Sequence, residues 1–143
     1  MSAAHREPVW SGILTVPLAS RIPVDRRPAA LMAIKAVHTA AFFLISGLIL
    51  LVAIDGARGR PGPRTAAALT VALAETAVFA SNNQVCPLTP LAEELGASSG
   101  SVTDIYLPDW LSRRIPILGG GTLAVGLVLN MRAWRGRRAG GAA

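Results

Sequence analysis

A chain of 143 residues with 52% hydrophobic and 15% charged residues, a net charge of +6 and a mean hydropathy of +0.47 is too poor in charge for a soluble domain of ordinary composition, which carries about 25% charged residues. One cysteine excludes a disulfide within the chain and a cysteine metal centre, and two histidines, His5 and His38, exclude a multi-histidine one. The positive charge is nearly all arginine and flanks apolar runs instead of interleaving with aromatics, so it reads as topology signal and lipid headgroup contact, with no nucleic acid as partner.

Residues 1–28 are broken by Pro8, Pro17, Pro23 and Pro28 and punctuated by Arg6, Arg21, Arg26 and Arg27. Their apolar part, 9–19, is shorter than the about 20 residues a span needs. It also makes a poor signal peptide, because Pro17 and Arg21 interrupt it. The segment is expected to be a basic arm, interfacial or disordered, with Trp10 at headgroup level. An over-extended start, with Met32 as the true beginning, is the other reading.

Residues 29–54 form the first expected span, bounded by Pro28 and by Asp55-Gly56. A basic turn follows over 55–64, where Gly56, Gly59, Pro61, Gly62 and Pro63 oppose helix and Arg58, Arg60 and Arg64 supply charge. Residues 65–85 form a second, alanine-rich span, with Asn82, Asn83 and Gln84 marking its exit to water. A slightly acidic connection, 86–114, comes next. Thr89 is expected to cap a short helix beginning at Pro90, and Gly96 to end it. A second short helix is expected from Ser101, and Tyr106 and Trp110 are expected at headgroup level. Residues 115–134 form the third span. In it Gly119, Thr122, Gly126 and Asn130 share one small face suited to close helix contact. Residues 135–143 read as a basic disordered tail.

The expected fold is therefore an all-α membrane protein: three transmembrane helices joined by an outward loop of short interfacial helices. Arginine counts place the 55–64 turn and the C-terminus in the cytoplasm. The basic N-terminal arm then faces outward, against the same rule.

Ionisable groups inside apolar spans mark candidate sites. His38 lies nine residues into the first span, about 14 Å deep at 1.5 Å per residue. Glu75 lies ten residues before Val85, so antiparallel spans bring the two level. Lys35, His38, Phe42 and Ser46 share one stripe, and Ala68, Ala72, Glu75, Phe79, Asn82 and Cys86 another. Facing each other, they give a candidate polar seam of Lys35, His38, Glu75, Asn82, Asn83 and Cys86. Three occupations of such a seam stay open: helix packing, a lipid or quinone headgroup, and a redox or proton relay using His38, Glu75 and Cys86. No cofactor is expected; of cofactors, quinone or haem would suit the seam. No catalytic residue and no metal ligand is assigned, because no phosphate loop, hydrolase elbow or zinc motif is present.

Cys86, Pro87, Leu88, Thr89 and Leu91, followed by Glu93, form a box after the second span. With His38, Phe42 and Gly47 before it, and Gly100, Ile105, Tyr106, Leu107 and Pro108 after it, the chain resembles an uncharacterised family of small bacterial multi-span membrane proteins over about residues 32–134. The resemblance implies the helical membrane architecture, the bacterial inner membrane and a role for the histidine and the box. It implies no activity. A structural or accessory subunit is the function expected, with membrane lipids and a second copy or another membrane protein as partners.

Overall fold

The computed structural model describes residues 8–9, 20–97 and 114–140. Among these the protein is all-α, with no strand. A 3-10 turn, Val24–Arg26, leads into α1, Arg27–Ala57. It is followed by α2, Pro63–Ser81, the short α3, Leu88–Glu94, and α4, Ile115–Gly140. Helix thus begins inside the stretch read as an arm. It continues six residues past Trp134, through the part of the tail that is described. The second short helix from Ser101, the Tyr106 and Trp110 segment and Trp10 lie outside the described residues.

The helix ends share one device. At the end of α1 the Arg60 N–H donates to Asp55 O (3.0 Å) and the Gly59 N–H to Gly56 O (3.1 Å), with Gly59 at φ +63°. This pair of bonds around a left-handed residue satisfies carbonyls that the helix leaves open. The end of α3 repeats it: Ala97 N–H donates to Ala92 O and Gly96 N–H to Glu93 O, with Gly96 at φ +105°. At the end of α2 Asn83 takes the left-handed position at φ 56°, and the Gln84 N–H reaches back to Phe79 O (2.9 Å). Asn is the common substitute for Gly there.

Two expectations at these ends change. Asp55 and Gly56 do not stop α1; both are buried within its last turn. Asn82 does not face water either: it is fully buried, and its Nδ2 donates to Val85 O at 2.8 Å.

The described residues fall into two compact units, with α1 and α2 each contributing to both. One draws on residues 1–41 and 76–113. Its apolar cluster sets Leu91 and Leu95, around α3, against Ile22, Ala30, Leu31 and Ile34. The other draws on 42–75 and 114–143. Its core is Val52, Ala68, Leu69, Ala72 and Leu123, with Leu48, Ile49, Leu51 and Leu127 packed on it.

In this second unit α1 and α4 approach closely. A Cβ on Gly126 would lie 3.1 Å from Ala53 N and from Val52 Cγ1. One on Gly56 would lie 2.7 Å from Asn130 Nδ2 and 2.9 Å from Leu129 Cβ. The small face read from the spacing of Gly126 and Asn130 is the face in contact.

Among the described residues two helices are long and apolar enough to cross a membrane, Val24–Ala57 and Ile115–Arg138. The expected second span is not one of them. Arg64, Glu75 and many alanines and threonines dilute the hydropathy of α2.

Substitution at the glycines should give opposite signs. Alanine at an unobstructed helical glycine gains up to about 1 kcal/mol in propensity. Gly120→Ala, with nothing within 4 Å of its new Cβ, should therefore raise the unfolding midpoint in detergent. Gly56→Ala must displace Asn130 and Leu129, an overpacking cost of about 1–3 kcal/mol, and should lower that midpoint.

Candidate functional site

The Cys-Pro-Leu-Thr box builds a turn and a docking helix. The left-handed Asn83 and Gln84, at φ 56° and 63°, reverse the chain after α2. Cys86 follows, half-buried, and its carbonyl accepts from the Thr89 N–H at 3.0 Å. Thr89 is not the cap expected of it. α3 begins two residues earlier than expected, at Leu88, with Pro87 at the cap position and no side-chain cap bond. Pro90 fits because first-turn N–H groups have no partner within the helix. Pro90, Leu91 and Ala92 are buried, and Leu91 packs on Ile22, Ala30, Leu31 and Ile34.

The stripe expected on α1 is its more covered face in this region. Lys35, His38, Phe42 and Ser46 are all half-buried, whereas Met32 and Val37 are exposed. The Lys35 carbonyl accepts from Thr39 Oγ1 at 2.8 Å. On α2 the stripe divides. Ala68 and Ala72 belong to the apolar core, Glu75 is exposed, Phe79 is half-buried and Asn82 is buried. Lys35, His38, Asn82, Asn83 and Cys86 share one compact unit, while Glu75 belongs to the other. Among the described residues no three His, Cys, Asp or Glu side chains gather into a metal-sized group.

The other unit holds a polar cluster that the sequence reading passed over. Thr65 Oγ1 donates to Asp55 Oδ2 at 2.7 Å and accepts from the Gly62 N–H at 3.1 Å. Gly62 caps α2: its carbonyl takes the Ala66 N–H, Pro63 occupies the first helical position, and Thr65 reaches back from the third. The same hydroxyl thus closes the helix start and ties the α1 end to it. Asp55 is 10% exposed in its side chain and gains a looser ion pair with Arg64 at 3.7 Å. Arg64 is 76% exposed, so that pair adds little. The sequence signal was faint: a carboxylate and a hydroxyl ten residues apart, bracketing a Gly/Pro turn.

Asn130, fully buried, grips α1 from α4. Its Nδ2 donates to Val52 O at 2.8 Å and to Gly126 O at 2.7 Å. Near the end of α4, Arg137 Nη2 donates to Pro61 O at 2.7 Å. That bond brings the end of α4, with Arg132, Arg135, Arg137 and Arg138, to the turn carrying Arg58, Arg60 and Arg64. Seven arginines and one aspartate, Asp55, meet at this end of the unit. The half-buried Trp134 lines two shallow hollows together with Arg138. One, of about 430 Å³, is lined by Trp134, Arg137 and Arg138. The other, of about 190 Å³, is lined by Met131, Trp134, Arg135 and Arg138. In the sequence these arginines look like topology signals and a basic tail, and no motif marks Trp134.

No family model, curated protein or solved structure matches the chain, so the resemblance read from the Cys-Pro-Leu-Thr box has no support beyond the residues that suggested it.

The Thr65 hydroxyl should matter through its bonds. Thr65→Val removes the donor to Asp55 and the acceptor for Gly62 N–H, a loss of about 1–3 kcal/mol for buried groups left unsatisfied. Thr65→Ser keeps both bonds. Thermal unfolding of the two variants in detergent should show a clear drop for valine and a much smaller one for serine.

Proposed function

We propose that the chain is a small integral membrane protein of the bacterial inner membrane, serving as a structural or accessory subunit. One observation carries the membrane reading. The most apolar stretches of the two long helices are only 11% and 17% buried. Val37, Phe43, Leu44 and Leu50 of α1, and Ile117, Leu118, Val125 and Val128 of α4, turn their side chains outward. The core helix of a soluble protein hides such residues. Exposed to water, apolar surface of this extent costs about 25 cal/mol per Å²; in hydrocarbon it costs nothing.

α2 is too dilute to insert as an independent span. It enters the bilayer by packing Ala68, Leu69 and Ala72 against Val52 of α1 and Leu123 of α4. This preserves a three-helix membrane domain in which one helix depends on the other two. The arginine-rich end lies in the cytoplasm, since positive residues are retained there. The Cys86 turn then faces outward.

The accessory role follows from what the unit offers. Its polar residues in the second unit bond one another or backbone carbonyls, as helix-packing groups do. Its outward apolar faces suit lipid, a second copy or another membrane protein. Lys35, His38 and Cys86, half-buried and in one compact unit, are the residues this reading offers to a lipid or quinone headgroup on the outward side.

Extraction and labelling test this reading together. The protein should stay with membranes through alkaline carbonate washing; release into the supernatant overturns the membrane assignment. An impermeant maleimide should label Cys86 in intact spheroplasts, with denatured protein as the control for a buried thiol. Labelling in inverted vesicles alone reverses the orientation.

A further inference from the structure

The arginine-rich end of α4 carries more than a topology signal. Val128, Met131, Arg135 and Arg138 follow one another at three- and four-residue spacing, so they share a face of α4. Val128 and Met131 are exposed at 43% and 37%. The face therefore changes from open apolar surface to cationic surface within three turns. At the change stands Trp134, half-buried, which with Arg138 lines two hollows. Arg137 is anchored by its bond to Pro61 O at 2.7 Å, which fixes the wall of the larger hollow. Arg135 and Arg138 are exposed; Arg138 lines both hollows and Arg135 the smaller.

A ligand that matches this face is anionic at one end and apolar at the other. Charge complementarity selects the anion, because among the described residues the one acidic side chain near this end, Asp55, already accepts from Thr65 and pairs with Arg64. Arginine suits phosphate because its planar fork bonds two oxygens at once. The indole suits the boundary between headgroup and acyl chain.

We propose that the hollow formed by Trp134, Arg135 and Arg138 binds the headgroup of an anionic phospholipid, with an acyl chain laid along Met131 and Val128. The proposal rests on the membrane reading above. It deepens that reading by naming a lipid class and a place: a defined site on the cytoplasmic end of α4, distinct from diffuse attraction to the whole arginine cluster. Occupied, it joins the last turns of α4 to the lipid surface beside the α1–α2 turn.

The test uses the full chain with Trp134 as the sole tryptophan, made by Trp10→Phe and Trp110→Phe. It is placed in phosphatidylcholine nanodiscs containing a minor fraction of either brominated phosphatidylglycerol or brominated phosphatidylcholine. Bromine quenches a tryptophan in contact with its chain. The site predicts a preference for phosphatidylglycerol of about thirtyfold in local occupancy, as expected of two interfacial arginines. Arg135→Gln with Arg138→Gln should abolish the preference, while Arg58→Gln with Arg60→Gln should keep most of it. Equal loss in the two double variants overturns the site in favour of diffuse electrostatics. Equal quenching by both lipids overturns the lipid selectivity and leaves the membrane reading standing. No quenching by either lipid overturns the membrane reading itself at α4. Loss of the preference on adding inorganic phosphate makes free phosphate the ligand and overturns the lipid assignment.

Discussion

The contact between α1 and α4 at Gly56 and Gly126 sets the rest of the second unit. Only the absence of a side chain at both positions lets Leu129, Asn130, Val52 and Ala53 come within van der Waals range. That proximity puts Asn130 where its Nδ2 can reach the Val52 carbonyl. An asparagine in an apolar interface stabilises modestly, by about 1–2 kcal/mol at most. It is far more selective about register, because a shift of one turn would strand a buried amide. The apolar core of Val52, Leu69, Ala72 and Leu123 assembles around this fixed register.

The turn joining α1 to α2 depends on the same geometry. With Gly56 held against α4, α1 keeps its helical form through Ala57 and brings the Asp55 carboxylate to Thr65. A carboxylate buried without a partner would be costly. Here a hydroxyl, and to a lesser degree Arg64, supply the partner. The result is a compact polar turn whose outer surface is left to arginines. Arg137 closes it from α4 by bonding Pro61 O. The cationic end is thus a built surface with a fixed backbone beneath it.

Much of this was legible in the sequence, and the misses have physical causes. Helix positions follow from apolar runs, and the Gly96 end follows from the one residue that adopts φ +105° without strain. The Gly126 and Asn130 face follows from helical spacing. Asp55 and Gly56 were read as helix breakers because propensity is local, whereas the partners that hold them, Thr65 and Asn130, lie 10 and 74 residues away in sequence. Asn82 was placed in water from its polarity; its burial comes from a bond to Val85 O three residues on, which composition does not reveal. Thr89 had the right chemistry for a cap, but α3, docked through Leu91 and Leu95, starts at Leu88, two residues earlier than that cap allows.

The bond from Arg137 to Pro61 also dictates an order of birth. The ribosome delivers the α1–α2 hairpin first, and its partners Asn130 and Arg137 last. Pro61 precedes Arg137 by 76 residues, which at 5–20 residues per second is about 4–15 s of translation. Throughout that interval the hairpin carries an uncovered groove at Gly56 and an unclaimed carbonyl at Pro61. Completion of the unit is therefore a docking step at the end of synthesis.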